Sequence, residues 1–196
     1  MEQKRIGVFG GSFHPVHNGH LALARHAAEA LGIERVLFVI DRIPPHKTLA
    51  DGASDEERLA ILRLATEDDP LFSVETMELY REGTSYTVDT LRALKTQYPD
   101  AELCFFMGSD MLNSFTSWRS PEIISQLATL VCTIRTGQSG GERETAAMLF
   151  ERYGTKVILL DEVSPLSSTL VRDRIREALP IKGMIPEKAE HYIYLN

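Results

Sequence analysis

At 196 residues, with 43% hydrophobic and 25% charged content, the chain is long enough for one well-buried core and reads as a single globular domain over residues 1–196. Its formal charge of −7 argues against a broad nucleic-acid surface, which needs a basic face. No apolar run nears the ~20 residues that cross a bilayer, and residues 1–5 lead into a strand rather than a signal sequence, so a cytoplasmic protein without a membrane partner is expected. Cys104 and Cys132 lie in apolar runs without C-x-x-C spacing, as buried thiols of a reducing compartment do.

Residues 5–10 read as a first strand. Gly10, Gly11, Ser12 and Phe13 then turn the chain into a helix that Asn18 can cap, with Leu21, Ala24, Ala28 and Leu31 at helical spacing and Gly32 at its end. Such a strand–loop–helix junction presents unpaired N–H groups and the positive end of the helix dipole, which favours an anion. His17 and His20, three apart on the first turn, can share one face and reach the same bound group, while Gly19 leaves room for a flat ligand. The loop is neither a Walker A loop nor a G-x-G-x-x-G fingerprint. A zinc site from His14, His17 and His20 is an alternative, though zinc usually recruits Cys or carboxylate as well.

Residues 34–40 form a second strand, apolar enough to be buried on both faces of a parallel sheet. The loop 41–53 follows, where Pro44 and Pro45 stiffen the backbone around His46 and Lys47. Ser54 and Glu57 spell a capping box for a helix with Leu59, Ile61, Leu62 and Ala65 inward, ending near Asp69-Pro70. A short strand at 71–75 leads to a turn with three hydroxyls, Thr84, Ser85 and Thr87, around Tyr86, and then to a helix with Val88, Leu91 and Leu94. Those hydroxyls can be caps, but one cap suffices.

The strand 102–107 ends at Gly108-Ser109-Asp110, where a parallel sheet gathers ligands, so Gly108 and Asp110 are placed for a ribose or a metal. Trp118, the one tryptophan, has polar neighbours that suit an exposed ring. A helix from Ser120-Pro121, a strand 129–135 ending at Arg135, a helix 142–153 closed by Gly154 and a strand 156–160 complete the alternation. Strand–helix alternation with near-continuous apolar strands predicts an α/β, doubly wound parallel sheet. Ser167, Ser168 and Thr169 then open a helix to about Leu179, a second anion cradle to which Arg172 adds a charged donor, and a last helix covers 187–194.

The H-x-G-H element His17-Asn18-Gly19-His20 resembles the signature of the nucleotidylyltransferase superfamily, in which it holds the α-phosphate of a nucleoside triphosphate. Five blocks together resemble the bacterial nicotinate-mononucleotide adenylyltransferases over nearly the whole chain: 10–13 with 17–20, 44–47, 85–91, 108–110 with Trp118, and 166–172. His14, where Asp or Asn is common in the family, and Leu166, where Ile is usual, are departures. The resemblance implies a Rossmann-like fold and transfer of AMP from ATP to nicotinate mononucleotide, giving deamido-NAD and pyrophosphate in NAD biosynthesis, with Mg²⁺ on the ATP phosphates. It implies His17, His20 and Arg172 as catalytic residues. It assigns Gly10, Gly11, Ser12, Phe13, Gly19, Gly108, Asp110, Ser167, Ser168 and Thr169 to ATP, and His46, Lys47, Ser85, Tyr86, Thr87, Trp118 and Arg135 to the acceptor. No protein metal ligand is implied, and a homo-oligomer stays open. A donor-lined acceptor pocket would favour the nicotinate carboxylate over the amide. Phosphopantetheine adenylyltransferase shares the first and last blocks but gives no reason for Trp118 or the Ser85 block, and an ATP-sensing module without turnover is an alternative from another class.

Overall fold

Six runs of the sequence become six strands of one sheet; five are apolar on both faces and take part in the cores on both sides, while the short edge run Phe72–Glu75 turns only Phe72 and Val74 into a core. The computed structural model describes residues 4–42, 53–134, 141–161 and 163–195. In chain order these contain β1 (Arg5–Gly11), α1 (Asn18–Leu31), β2 (Ile33–Ile40), α2 (Asp55–Thr66), β3 (Phe72–Glu75), α3 (Thr87–Gln97), β4 (Glu102–Gly108) and α4 (Ser109–Asn113). A 3₁₀ turn (Phe115–Ser117), α5 (Pro121–Leu127), β5 (Ala128–Ile134), α6 (Glu142–Tyr153), β6 (Val157–Asp161), α7 (Ser168–Arg176) and α8 (Glu187–Leu195) follow. His46, Lys47 and Arg135 lie outside the described residues.

The strand order is β3-β2-β1-β4-β5-β6 and every pairing is parallel. The chain winds outward from β1 through β2 to β3, then crosses back through α3 to β4 on the other side of β1. Val8 is therefore registered against Leu37 on one side and Phe105 on the other. The reversal leaves a crevice beyond the carboxyl ends of β1 and β4, where such sheets bind ligands.

Side chains alternate strictly between the two faces. Leu103, Phe105 and Met107 pack with Val88, Leu91 and Leu94 of α3 on one face. Cys104 and Phe106 join Ala24, Ala27 and Ala28 of α1 and Leu59 and Leu62 of α2 on the other. A smaller cluster of Val171, Ile181, Ile185 and Ala189 fixes α7 and α8 against α2. Both cysteines are buried and unpaired, and burial pushes their thiols up to about 11, so neither is a nucleophile at neutral pH.

The chain terminates helices as its sequence dictates: Gly32 and Gly154 take φ of 62° and 71° at the ends of α1 and α6, values that cost a side chain but not glycine. At α2 the capping box forms in both directions, with Glu57 N–H donating to Ser54 Oγ at 3.1 Å and Ser54 N–H to Glu57 Oε2 at 2.7 Å. Asn18 does not cap α1. His17 is the N-cap, and Asn18 instead ties the helix start to the chain near α8, donating from Nδ2 to Gly183 O at 2.8 Å and from its backbone to Met184 O at 2.7 Å. Helix α7 stops at Arg176, three residues before the expected end, and Ala178 then turns with φ of 53°.

Candidate active site

The loop after β1 is held from two directions. Phe13 is 3% exposed and packs edge-on to Phe9 and His20, with ring centroids 5.6 and 5.3 Å apart, so its ring anchors the loop in the core. From α2, Arg58 reaches the same loop. Its side chain is fully buried, donating from Nη1 to Ser12 O and from Nη2 to Asp41 O and Asp55 Oδ1, each of the latter at 2.7 Å. One guanidinium thus joins the end of β2, the start of α2 and the phosphate loop. Sequence reasoning missed Arg58, which occupies the core-facing side of a helix where only apolar residues were expected.

At the helix start the two imidazoles stack, with centroids 3.7 Å apart and planes 28° apart. His20 Nδ1 accepts the His17 backbone N–H at 3.2 Å, which places the His20 proton on Nε2 and leaves that N–H as a donor. Burial holds His17 down to about 4 and His20, which also faces His17, to about 3. Both rings are therefore neutral at physiological pH. Gly19 is required here: a Cβ on it would lie 2.9 Å from His17 Nδ1 and 3.1 Å from Leu166 Cβ. The absent side chain makes room for the His17 ring, and Gly19 also lines the first cavity. His14, His17 and His20 do not form a zinc site: among the described residues no three His, Cys, Asp or Glu side chains are arranged to hold a metal.

The second cradle closes onto the first. Ser168 Oγ donates to Pro15 O at 2.9 Å, and Arg172 Nη1 donates to His14 O at 2.6 Å while its Nη2 reaches Thr169 Oγ1 at 3.2 Å. Ser167 caps α7, its hydroxyl accepting from Leu170 N–H at 3.1 Å. His17, Gly19, His20, Thr133, Ser167 and Ser168 line one cavity of about 250 Å³. Two helix N-termini and two imidazole rings thus surround a space suited to a polyphosphate. Gly108 ends β4, and Asp110 is exposed in the first turn of α4.

A second cavity, about 230 Å³, opens at the ends of β1 and β2 and is lined by Gly10, Gly11, Asp41, Glu78, Ser85 and Thr87 among others. Gly10 and Gly11, expected against ATP, line this cavity rather than the first. Among the described residues Ser85 Oγ is buried without a hydrogen-bond partner and no side chain caps α3, so the hydroxyls of this turn do not act there as helix caps. Glu78, not anticipated from the sequence, donates nothing and accepts from Thr90 Oγ1 at 2.5 Å; burial pushes its carboxyl above the usual range. The lining is thus mixed, with carboxylates beside hydroxyls, rather than all donors. Tyr86 is the N-cap residue of α3, with its ring 4.4 Å from the Arg119 guanidinium. Trp118, next to Arg119 in the chain, is half-buried against Phe105 and Phe115, at 6.1 and 5.5 Å, where its polar neighbours suggested an exposed ring.

A parallel sheet of order 3-2-1-4-5-6, with an anion-binding loop after its first strand and polar cavities at its switch point, defines a nucleotide-binding α/β protein. Residues 8–174 match the family model described as cytidylyltransferase-like. A probable nicotinate-nucleotide adenylyltransferase of Carboxydothermus hydrogenoformans is 40% identical over 200 residues, covering 100% of this chain and 98% of its own. One of Halalkalibacterium halodurans is 39% identical over 194 residues, covering 97% and 89%. Among solved structures, the Plasmodium falciparum nicotinic acid mononucleotide adenylyltransferase complexed with NaAD superposes with a TM-score of 0.74 at 19% identity, covering 98% of this chain and 95% of that one. The chain belongs to the cytidylyltransferase-like family, in its nicotinate-nucleotide adenylyltransferase branch.

Proposed function

We infer that this chain transfers AMP from ATP to the 5′-phosphate of nicotinate mononucleotide, releasing pyrophosphate and giving the deamido dinucleotide from which NAD is made. The observation that carries the reading is the neutral His17–His20 stack, with His20 Nε2–H as a donor, in one cavity with the start of α7. A phosphate with second pKa near ~6 is already an anion at neutral pH, so no general base is needed. Its oxygen attacks the α-phosphorus, the bond to the β-phosphate breaks, and the electron pair leaves on pyrophosphate. His20, with His17, donates to the α-phosphate as its charge shifts, while Ser168, Thr169 and Arg172 at α7 receive the β- and γ-phosphates. Mg²⁺ enters as part of the substrate, carried by phosphate oxygens and water.

Trp118 stacks on the pyridine ring, and the turn at Ser85, Tyr86 and Thr87 borders the acceptor. Support comes from the second cavity, which adjoins this turn, and from relatives whose names carry the same activity. The test is pyrophosphate release on mixing the chain with MgATP and, in turn, nicotinate mononucleotide, the nicotinamide form and phosphopantetheine. Release is expected with the first in clear preference to the second and not with the third. Equal kcat/KM for the two mononucleotides would refute the acid preference, and ATP binding with no release from any acceptor would favour a sensor.

A further inference from the structure

Glu78 sits in the wall of the second cavity with an arrangement that the transfer chemistry does not explain. Its Oε1 accepts the Thr90 hydroxyl at 2.5 Å, and Thr90 Oγ1 in turn accepts from Arg81 Nη1 at 3.0 Å. Thr90 is thereby committed in both directions and serves to hold the carboxylate in place. Among the described residues Glu78 Oε2 has no hydrogen-bond partner, so one oxygen remains for a ligand. Ser85 Oγ lines the same cavity, buried and without a partner among the described residues. Asp41, which lines the same cavity, is already engaged by Arg58.

A ligand that satisfies this pair must donate to a carboxylate and exchange a hydrogen bond with a hydroxyl. Phosphate and nicotinate carboxylate only accept, and both would meet like charge on Glu78 and Asp41. A sugar hydroxyl donates and accepts at once. We propose that Glu78, with Ser85, binds the 2′,3′-diol of the acceptor mononucleotide's ribose, making this residue a specificity determinant for ribonucleotide acceptors. The proposal rests on the acceptor reading above. It also assigns the base carboxylate to the Trp118 side, away from the acidic wall.

The experiment compares wild type and Glu78→Gln with nicotinate mononucleotide and its 2′-deoxy and 3′-deoxy analogues at saturating MgATP. Glutamine keeps the size and the Thr90 contact but replaces an acceptor with a donor. The KM for nicotinate mononucleotide is expected to rise about 10- to 100-fold, the loss of a hydrogen bond to a charged group, with the KM for ATP unchanged. At least one deoxy analogue should show a similar loss with wild type and little further loss with Glu78→Gln. If wild type used both deoxy analogues as well as the ribonucleotide, the diol assignment would be overturned, even were Glu78→Gln impaired; the carboxylate would then act through the pyridinium charge. Failure of wild type to turn over nicotinate mononucleotide at all would instead bring down the functional reading and this assignment with it.

Discussion

The histidine pair is the point at which single residues decide the chemistry. Stacked and buried, His17 and His20 stay neutral, so what the pair can offer a bound phosphate is a fixed N–H dipole rather than an imidazolium. Loss of one donor of this kind costs ~10²–10³ in kcat. His20→Ala should retain its circular dichroism spectrum and lose turnover by that factor; near-normal turnover would remove His20 from the reaction. The same depressed values make the pair a source of acid sensitivity. An unfolded histidine takes a proton near pH 6.5, whereas the folded ones wait until about 4 and 3, so below pH 6.5 the unfolded state binds more protons and stability falls as pH falls. Thermal unfolding between pH 7 and 4.5 should show this decline, and it should be shallower in a His17→Asn, His20→Asn double variant. An identical slope in that variant would assign the sensitivity to other groups.

Among elements, α2 does the most with the least visible means. Its capping box is legible in the sequence and forms atom for atom, because Ser and Glu three apart meet within one turn whatever the tertiary context. Its Arg58 is not legible. A charge beside Leu59 and Leu62 reads as the solvated edge of the helix, and the carbonyls of Ser12 and Asp41 that make burial tolerable are backbone groups with no sequence signature. Only Asp55, one turn earlier, hints at a partner. Removing one side of a buried charge cluster costs about 3–5 kcal/mol. Arg58→Met should therefore lower the melting temperature by roughly 6–20 °C for a chain of this size and weaken ATP binding through the loosened loop. A variant as stable as wild type would show that the loop is held by Phe13 alone.

At the scale of the molecule, the sheet was legible because mostly apolar runs bounded by turns have few other destinations, and among the described residues the strand boundaries fall within a residue or two of their expected places. The shared cavity of His17, His20 and Ser168 was partly legible, since strand–loop–helix junctions at one sheet edge converge. What escaped depends on contacts between distant segments: His17 rather than Asn18 at the helix cap, Glu78 in the second cavity, and Trp118 partly covered by Phe105 and Phe115.

The bonds from Ser168 to Pro15 and from Arg172 to His14 join positions 153 and 158 residues apart. On a ribosome adding ~5–20 residues per second, the first half of this site waits roughly eight to thirty seconds for the second. Strand β1 likewise stays one-sided until β4 is made. A nascent chain thus carries a complete glycine-rich loop long before the α7 segment that closes its cavity exists. Chains ending at residue 161 should keep the parallel sheet by circular dichroism yet fail to retain ATP in equilibrium dialysis, and retention by such a chain would show that the loop after β1 suffices alone.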